Sequence, residues 1–286
     1  MMHKLLNIDR RIVFVAVAIV ILAGMALDTV VPLPASAEAQ SVFDAVEATG
    51  AGDTILVAMD YPPSSASELD PMSRAALHHA FARDATVLVV SFDSGGAPRA
   101  AKMVDAVAAE LGKVNGVDYA VLGYKPDMTA ALIEMGTDIA GVFTEVTIDG
   151  EPVPTESVEA MQGVANYSDI ALAVQMTGSK KYEEWVEYAN ARFGLKLVTG
   201  ATGSVVTGQY PYLASGQISG LLRSTRGASD YETMVIDAYG HDDSGLEPDA
   251  SKKMSVLFMG HLLILLFIGI ANVGHWATRG GAKETA

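Results

Sequence analysis

Two aspartates close consecutive apolar runs, Asp60 after TILVAM (54–59) and Asp93 after TVLVVSF (86–92). Carboxylates so placed can bind a divalent cation, orient a ligand hydroxyl or divide the roles of acid and base. Each can also do no more than cap a neighbouring turn. Five loops share this setting: 60–67, 93–98, 123–127, 176–181 and 199–204. Besides the aspartates they hold Tyr61, Ser64, Ser94, Lys125, Thr177, Ser179, Lys180, Thr199, Thr202 and Ser204, which together form the candidate ligand-binding set. Arg99, Lys125, Lys180 and Lys181 could gather a carboxylate or phosphate near helix N-termini, or simply balance nearby acids in water. A hydrolase or transferase acting on an anionic substrate through Asp60 and Asp93 is therefore one reading. A binding module without catalysis is the other.

The run LKLVTGATGSVVTGQ (195–209) tests a different chemistry. Its TGATGS turn resembles the TGxxGxxG opening of the extended short-chain dehydrogenases, in which glycines let the backbone approach a pyrophosphate. The context departs from that family: the turn follows a fifth apolar run instead of the first, and Val206 stands at the third glycine position. No tyrosine after the turn has a lysine four positions on. A tight strand-to-helix turn capped by Ser204 accounts for the residues, with an anion-binding turn as the alternative, and no cofactor, NAD included, is expected. The chain has no cysteine, which excludes disulfides, thiolate nucleophiles and thiolate metal sites. It also lacks a His-Glu-x-x-His run, a Gly-x-Ser-x-Gly elbow and a Walker loop. His78 and His79 point about 100° apart on one helix, so they read as structural and no metal site is expected.

What must position the loops is an alternating α/β domain. TILVAM, TVLVVSF, VDYAVLG (117–123), DIALAVQ (169–175) and LKLVT (195–199) are continuously apolar, the mark of strands covered on both faces. Helical patterns separate them, from Ser67 to Phe81, along Ala100, Met103, Val104, Val107 and Leu111, and near 127–136, 155–164 and 180–193. Segment 139–154, with Asp149-Gly150 and two prolines, predicts an edge strand or excursion. The expected fold is α/β: a Rossmann-like, mainly parallel sheet with helices on both faces, flanked by N- and C-terminal transmembrane helices. Such an exported architecture is similar to one lobe of the two-lobed periplasmic solute-binding proteins, an analogy of fold alone.

Two apolar segments frame this domain. Residues 254–276 are long enough to span a bilayer, which takes about 20 apolar residues. Residues 12–27, preceded by Lys4, Arg10 and Arg11, read either as a retained anchor or as a secretory signal ending near Ala35-Ser36-Ala37. Basic residues at both outer flanks, including Arg279 and Lys283, predict cytoplasmic ends at 1–11 and 277–286. Between them come a linker (28–39), the extracytoplasmic domain (40–239) and a polar linker (240–253). The flanks hold only two of the 34 acidic residues but five of the 19 basic ones, so the centre is more acidic than the chain's net −15. Such a surface repels nucleic acid and anionic headgroups.

In the second span, His261, Asn272 and His275 are costly in hydrocarbon and point toward a partner helix or a membrane interface. Gly216 and Gly220, four apart, permit close helix approach and join His261 and Asn272 as candidate partner contacts. They lie in YPYLASGQISGLLRSTRGASDYE (210–232), which resembles a block in bacterial membrane-associated proteins described only as hypothetical. That resemblance covers most of the exported domain and implies no activity. The expectation from sequence is a membrane-anchored extracytoplasmic binding or scaffold subunit of a membrane assembly, possibly a homo-oligomer, with a small anionic ligand as a further possible partner.

Overall fold

The computed structural model describes residues 10–26, 30–31, 34–240 and 245–281. Lys4, Lys283, and parts of the 28–39 and 240–253 linkers lie outside the described residues. The chain divides into two units: Leu33–Ala250, and Met1–Pro32 with Ser251–Ala286.

In chain order the helices are α1 (Arg10–Ala26), α2 (Ala37–Glu47), α3 (Ala66–Ala82), α4 (Ala97–Leu111), α5 (Met128–Met135), α6 (Ile139–Val142), α7 (Lys181–Glu184), α8 (Ala191–Phe193), α9 (Tyr210–Ala214), α10 (Ser224–Tyr239) and α11 (Asp249–Gly281). The strands are β1 (Thr54–Asp60), β2 (Thr86–Ser91), β3 (Tyr119–Tyr124), β4 (Glu145–Ile148), β5 (Glu151–Pro154), β6 (Leu172–Thr177), β7 (Leu197–Ala201) and β8 (Gly220–Arg223).

The α/β unit is Rossmann-like. Six strands form one sheet in the order β3-β2-β1-β6-β7-β8, every described pairing in it parallel. Alternate residues feed two cores. Ile55, Val57 and Met59 pack with α2, α3, α4 and α10 on one face, while Leu56 and Ala58 pack with α5, α6 and the 185–189 region on the other. Burial on both faces is why these strands read as unbroken apolar runs. The β4–β5 hairpin turns at Asp149-Gly150, with both residues at positive φ, which satisfies the excursion expected over 139–154.

Three expectations need correction. No continuous helix forms over 155–164: two short 3-10 turns, Thr155–Ser157 and Glu159–Met161, are separated by an extended Val158 (φ −83, ψ 134). Val158, Ala160 and Met161 are all buried, and although Val158 and Met161 could share a helical face, Ala160 would point to the opposite one. The 210–232 block, whose glycine spacing suggests a helix docking on the sheet or a surface for another subunit, is not one helix but a short helix, the edge strand β8 and the start of α10. Gly216 lies in a turn at φ +78, and Gly220 opens β8, so their spacing is not helical. Two flanking spans also reduce to one among the described residues. α1 has 17 residues and opens with two arginines, whereas Asp249–Val273 is long and apolar enough to cross a membrane.

Leu33–Ala250 is wider than the expected 40–239 domain because the end of the chain's polar stretch is held: Leu246 and Ala250 are buried, and Ala250 N donates to Glu232 Oε2 at 2.7 Å. α2 also belongs to this unit, tied there by His79. His79 Nε2 sits 2.9 Å from Glu47 Oε2 and Nδ1 2.8 Å from the Tyr231 hydroxyl. A carboxylate only accepts, so Nε2 carries the proton and Tyr231 donates to Nδ1. Burial lowers the His79 pKa, partly offset by Glu47.

Because the folded pKa lies below the unfolded one, the neutral ring's contribution is present above the ordinary histidine range and lost as pH falls. Urea unfolding at pH 7.5 and pH 5 is expected to show lower stability in acid. In His79→Gln that acid loss is expected to shrink, and an unchanged pH dependence would remove His79 as its source.

In the other unit, a Cβ placed on Gly24 of α1 would meet Met259 Cε at 2.6 Å and Val256 Cγ2 at 3.2 Å of α11, so the two helices touch at a glycine. Most other apolar side chains of α1 remain exposed, Phe14 and Leu22 among them.

Candidate functional site

In an open parallel sheet the strand order reverses between β1 and β6, and ligands in such folds bind beyond the carboxyl ends there. Asp60 and Thr177 are register partners at that point. Asp60 is fully buried and accepts three hydrogen bonds: Phe92 N at 2.7 Å on one oxygen, Trp185 Nε1 at 2.8 Å and Gln175 Nε2 at 3.2 Å on the other. Trp185 reaches it because the chain after α7 widens into a π-helical turn, Trp185–Asn190. Burial raises the Asp60 pKa, opposed by these donors and by the charge of Lys181. Its geometry is that of a strap joining β1, β2, β6 and the 185–190 turn.

Asp93 comes within the same neighbourhood without joining Asp60 in an open site. One oxygen accepts from Gly95 N and Gly96 N, at 3.1 and 2.9 Å, and the other lies 3.4 Å from Lys181 Nζ. Lys181 also donates to Phe92 O at 2.7 Å, so it neutralises the turn from outside while Asp60 holds it from within.

The other predicted residues divide. Thr177 Oγ1 accepts from Ser179 N and donates to Ser179 O, both at 3.1 Å. Thr202 and Ser204 pair through their hydroxyls at 2.9 Å, and buried Thr199 donates to Gln209 at 2.5 Å. Tyr61 points into the opposite core, where its hydroxyl meets Asp70 and Ser73, each at 3.0 Å. Ser64 and Ser94 are exposed. The cations are dispersed: Lys125 lies over the Phe143 ring at 5.5 Å, Lys180 is 80% exposed beside Glu183, and Arg99 is paired with Asp70. No four-cation pocket forms from them.

The TGATGS turn already has an anion. Gly203 N donates to Glu68 Oε2 at 3.0 Å, and the Ser224 hydroxyl bonds the same oxygen. Glu68 sits in the first turn of α3, favourably close to that helix's N-terminal dipole. A backbone group that could face a phosphate is thus occupied by the chain's own carboxylate.

No family model matches the chain, and no curated protein or solved structure matches it either. The chemistry has to be read from the residues alone. Among the described residues, no group of three or more His, Asp or Glu side chains is arranged to hold a metal ion. A shallow cleft of about 560 Å³ opens beside Lys181, lined also by Phe92, Asp127, Thr129 and Glu184. A second, of about 690 Å³, lies along β3 and carries Asp105, Glu145 and Asp149. Acids predominate in both.

Sequence reasoning passed over Gln175, Trp185 and Glu68. Gln175 left a visible sign, a polar residue inside the apolar LAVQMT strand. Glu68 left none, since its partner Gly203 is 135 residues away.

Proposed function

We propose that the protein is a membrane-anchored binding or scaffold subunit, with its Rossmann-like domain outside the cytoplasm and no catalytic role. The observation that carries this reading is α11. Asp249–Val273, 25 residues long, contains an 18-residue window of mean hydropathy 2.4 that is left 6% buried, and a lipid environment is the solvent that suits such a surface. The loop chemistry supports the absence of catalysis: Asp60 is enclosed, Asp93 is spent on a turn and Lys181, and the Gly203 amide faces Glu68. In this reading α11 is the anchor, α1 either stays beside it or is removed as a signal, and Arg279 with Lys283 keeps the C-terminal end inside.

Protease added to intact spheroplasts, followed by intact-mass measurement of full-length protein from the same membranes, tests the arrangement. The domain is expected to be cut without lysis. Cleavage only after lysis would reject the extracytoplasmic placement, and the mass decides whether residues 12–37 are retained.

A further inference from the structure

Between Val256 and His275 the polar residues of α11, His261, Asn272 and His275, are not scattered around it. At ~100° per residue, positions 261, 265, 268, 272 and 275 fall within about 80° of the helix circumference. Their 4-3-4-3 spacing is the 3.5-residue repeat by which two helices that coil gently about each other stay in contact. His261, Leu265, Ile268, Asn272 and His275 occupy it, and all five are exposed. α1 does not cover this stripe. It meets α11 at Val256 and Met259, which lie roughly 140–160° away from the stripe's centre.

His261 shows which way its hydrogen-bonding capacity is directed. Its Nδ1 is 2.7 Å from Leu257 O, and a carbonyl only accepts, so Nδ1 carries the proton. In the neutral ring, Nε2 is then an acceptor. An imidazole acceptor and a carboxamide on one face of a membrane helix are costly against lipid and gain from a second helix.

We propose that this stripe is a self-association surface, pairing α11 with α11 of a second copy of the chain. The inference rests on the membrane reading above. Copies of one chain enter a bilayer in the same orientation, so their helices run parallel. A two-fold axis along the 3.5-residue seam then sets each stripe residue opposite its own equivalent. Asn272 suits that arrangement, because a carboxamide carries both donor and acceptor and can bond its copy reciprocally. Leu265 and Ile268 supply the apolar packing between the polar positions. This seam makes the α/β domains a pair, held side by side by their anchors.

The chain's lack of cysteine makes the test direct. Leu265→Cys and Ile268→Cys place a thiol on the stripe, and Leu263→Cys places one on the opposite side. Each full-length variant is oxidised in its native membrane with copper-phenanthroline. The stripe variants are expected to form a disulfide of twice the monomer mass at least fivefold more than Leu263→Cys. Adding Asn272→Val to Leu265→Cys is expected to lower that yield about threefold to tenfold, in line with the worth of one interhelical hydrogen bond in a membrane.

Equal yields from all three positions, or none from any, would overturn the proposal. So would an amine-reactive crosslink that joins the chain to a different protein and never to itself. An alkaline carbonate wash of the same membranes separates the two readings. Protein that stays in the pellet but gives no stripe crosslink sinks the self-association alone, and protein released into the wash sinks the membrane reading with it.

Discussion

Asp60→Ala is expected to remove about 3–5 kcal/mol of unfolding free energy, enough to threaten the fold of a domain of ordinary stability. The substitution takes the acceptor from three buried donors at once, Phe92 N, Trp185 Nε1 and Gln175 Nε2. Each abandoned donor costs about 1–3 kcal/mol, and the losses are not fully additive because the three share one carboxylate. Asp60→Asn keeps the shape but turns an amide N–H₂ toward at least one donor, so about 1–2 kcal/mol is expected. Urea unfolding of the full-length chain in detergent, followed by tryptophan fluorescence, reads both, since Trp185 is one of only two tryptophans and lies against the replaced group.

The pH dependence gives this prediction a second, independent sign. Burial raises the folded pKa of Asp60, so its contribution is complete below the unfolded value and is lost as pH rises through the folded one. The stability gap between wild type and Asp60→Asn is therefore expected to be widest in acid and to narrow with rising pH. A gap that widens instead would mean that the three donors and Lys181 outweigh burial, with the carboxylate favoured in the fold. An unchanged stability in Asp60→Ala would leave open a catalytic role for Asp60 that its burial now argues against.

The same residue shows how far sequence reading reaches. Five of the six strands in the sheet were legible because double-sided burial writes itself as continuous apolar runs, and Asp60 and Asp93 were visible as polar ends to those runs. Whether they converge depends on strand order, side-chain direction and the donors that each finds, none of which is local. Trp185 reaches Asp60 across 125 positions and Lys181 reaches Phe92 across 89, through a widened helical turn that no composition signals. The sixth strand was missed because β8 has four residues and begins with glycine, a pattern weak in strand propensity and easily joined to the helix after it. Ile218, Leu221 and Leu222, all buried, were the available sign. The angle between His78 and His79 predicts structural roles, but the part His79 plays in holding α2 depends on Glu47 and Tyr231, brought from far along the chain.

Gly220→Ala follows from that missed strand, and it is expected to cost about 2–3 kcal/mol. A Cβ on Gly220 would lie 2.7 Å from Val42 N and 2.9 Å from Ser41 C, both backbone atoms of α2, so no rotamer change relieves the contact. α2 must lift from β8, and it carries Val42, Ala45 and Val46, all in the core shared with α3 and α10. Gly216→Ala is the matched comparison. Gly216 has open space around it and owes its identity to φ +78, so alanine there costs only the left-handed backbone penalty, about 1–2 kcal/mol. The sequence-level spacing of these two glycines suggested one function for both, close approach of a helix. The fold assigns that role to Gly220 alone, with a helix of the same domain as the approaching partner. Parallel urea titrations of the two variants decide it: Gly220→Ala is expected to be the less stable, and the loss should be accompanied by faster amide exchange along Val42–Val46. A Gly220→Ala protein as stable as Gly216→Ala, with α2 still protected, would show that the edge strand and helix are not in close contact and would free that face of β8 for another chain.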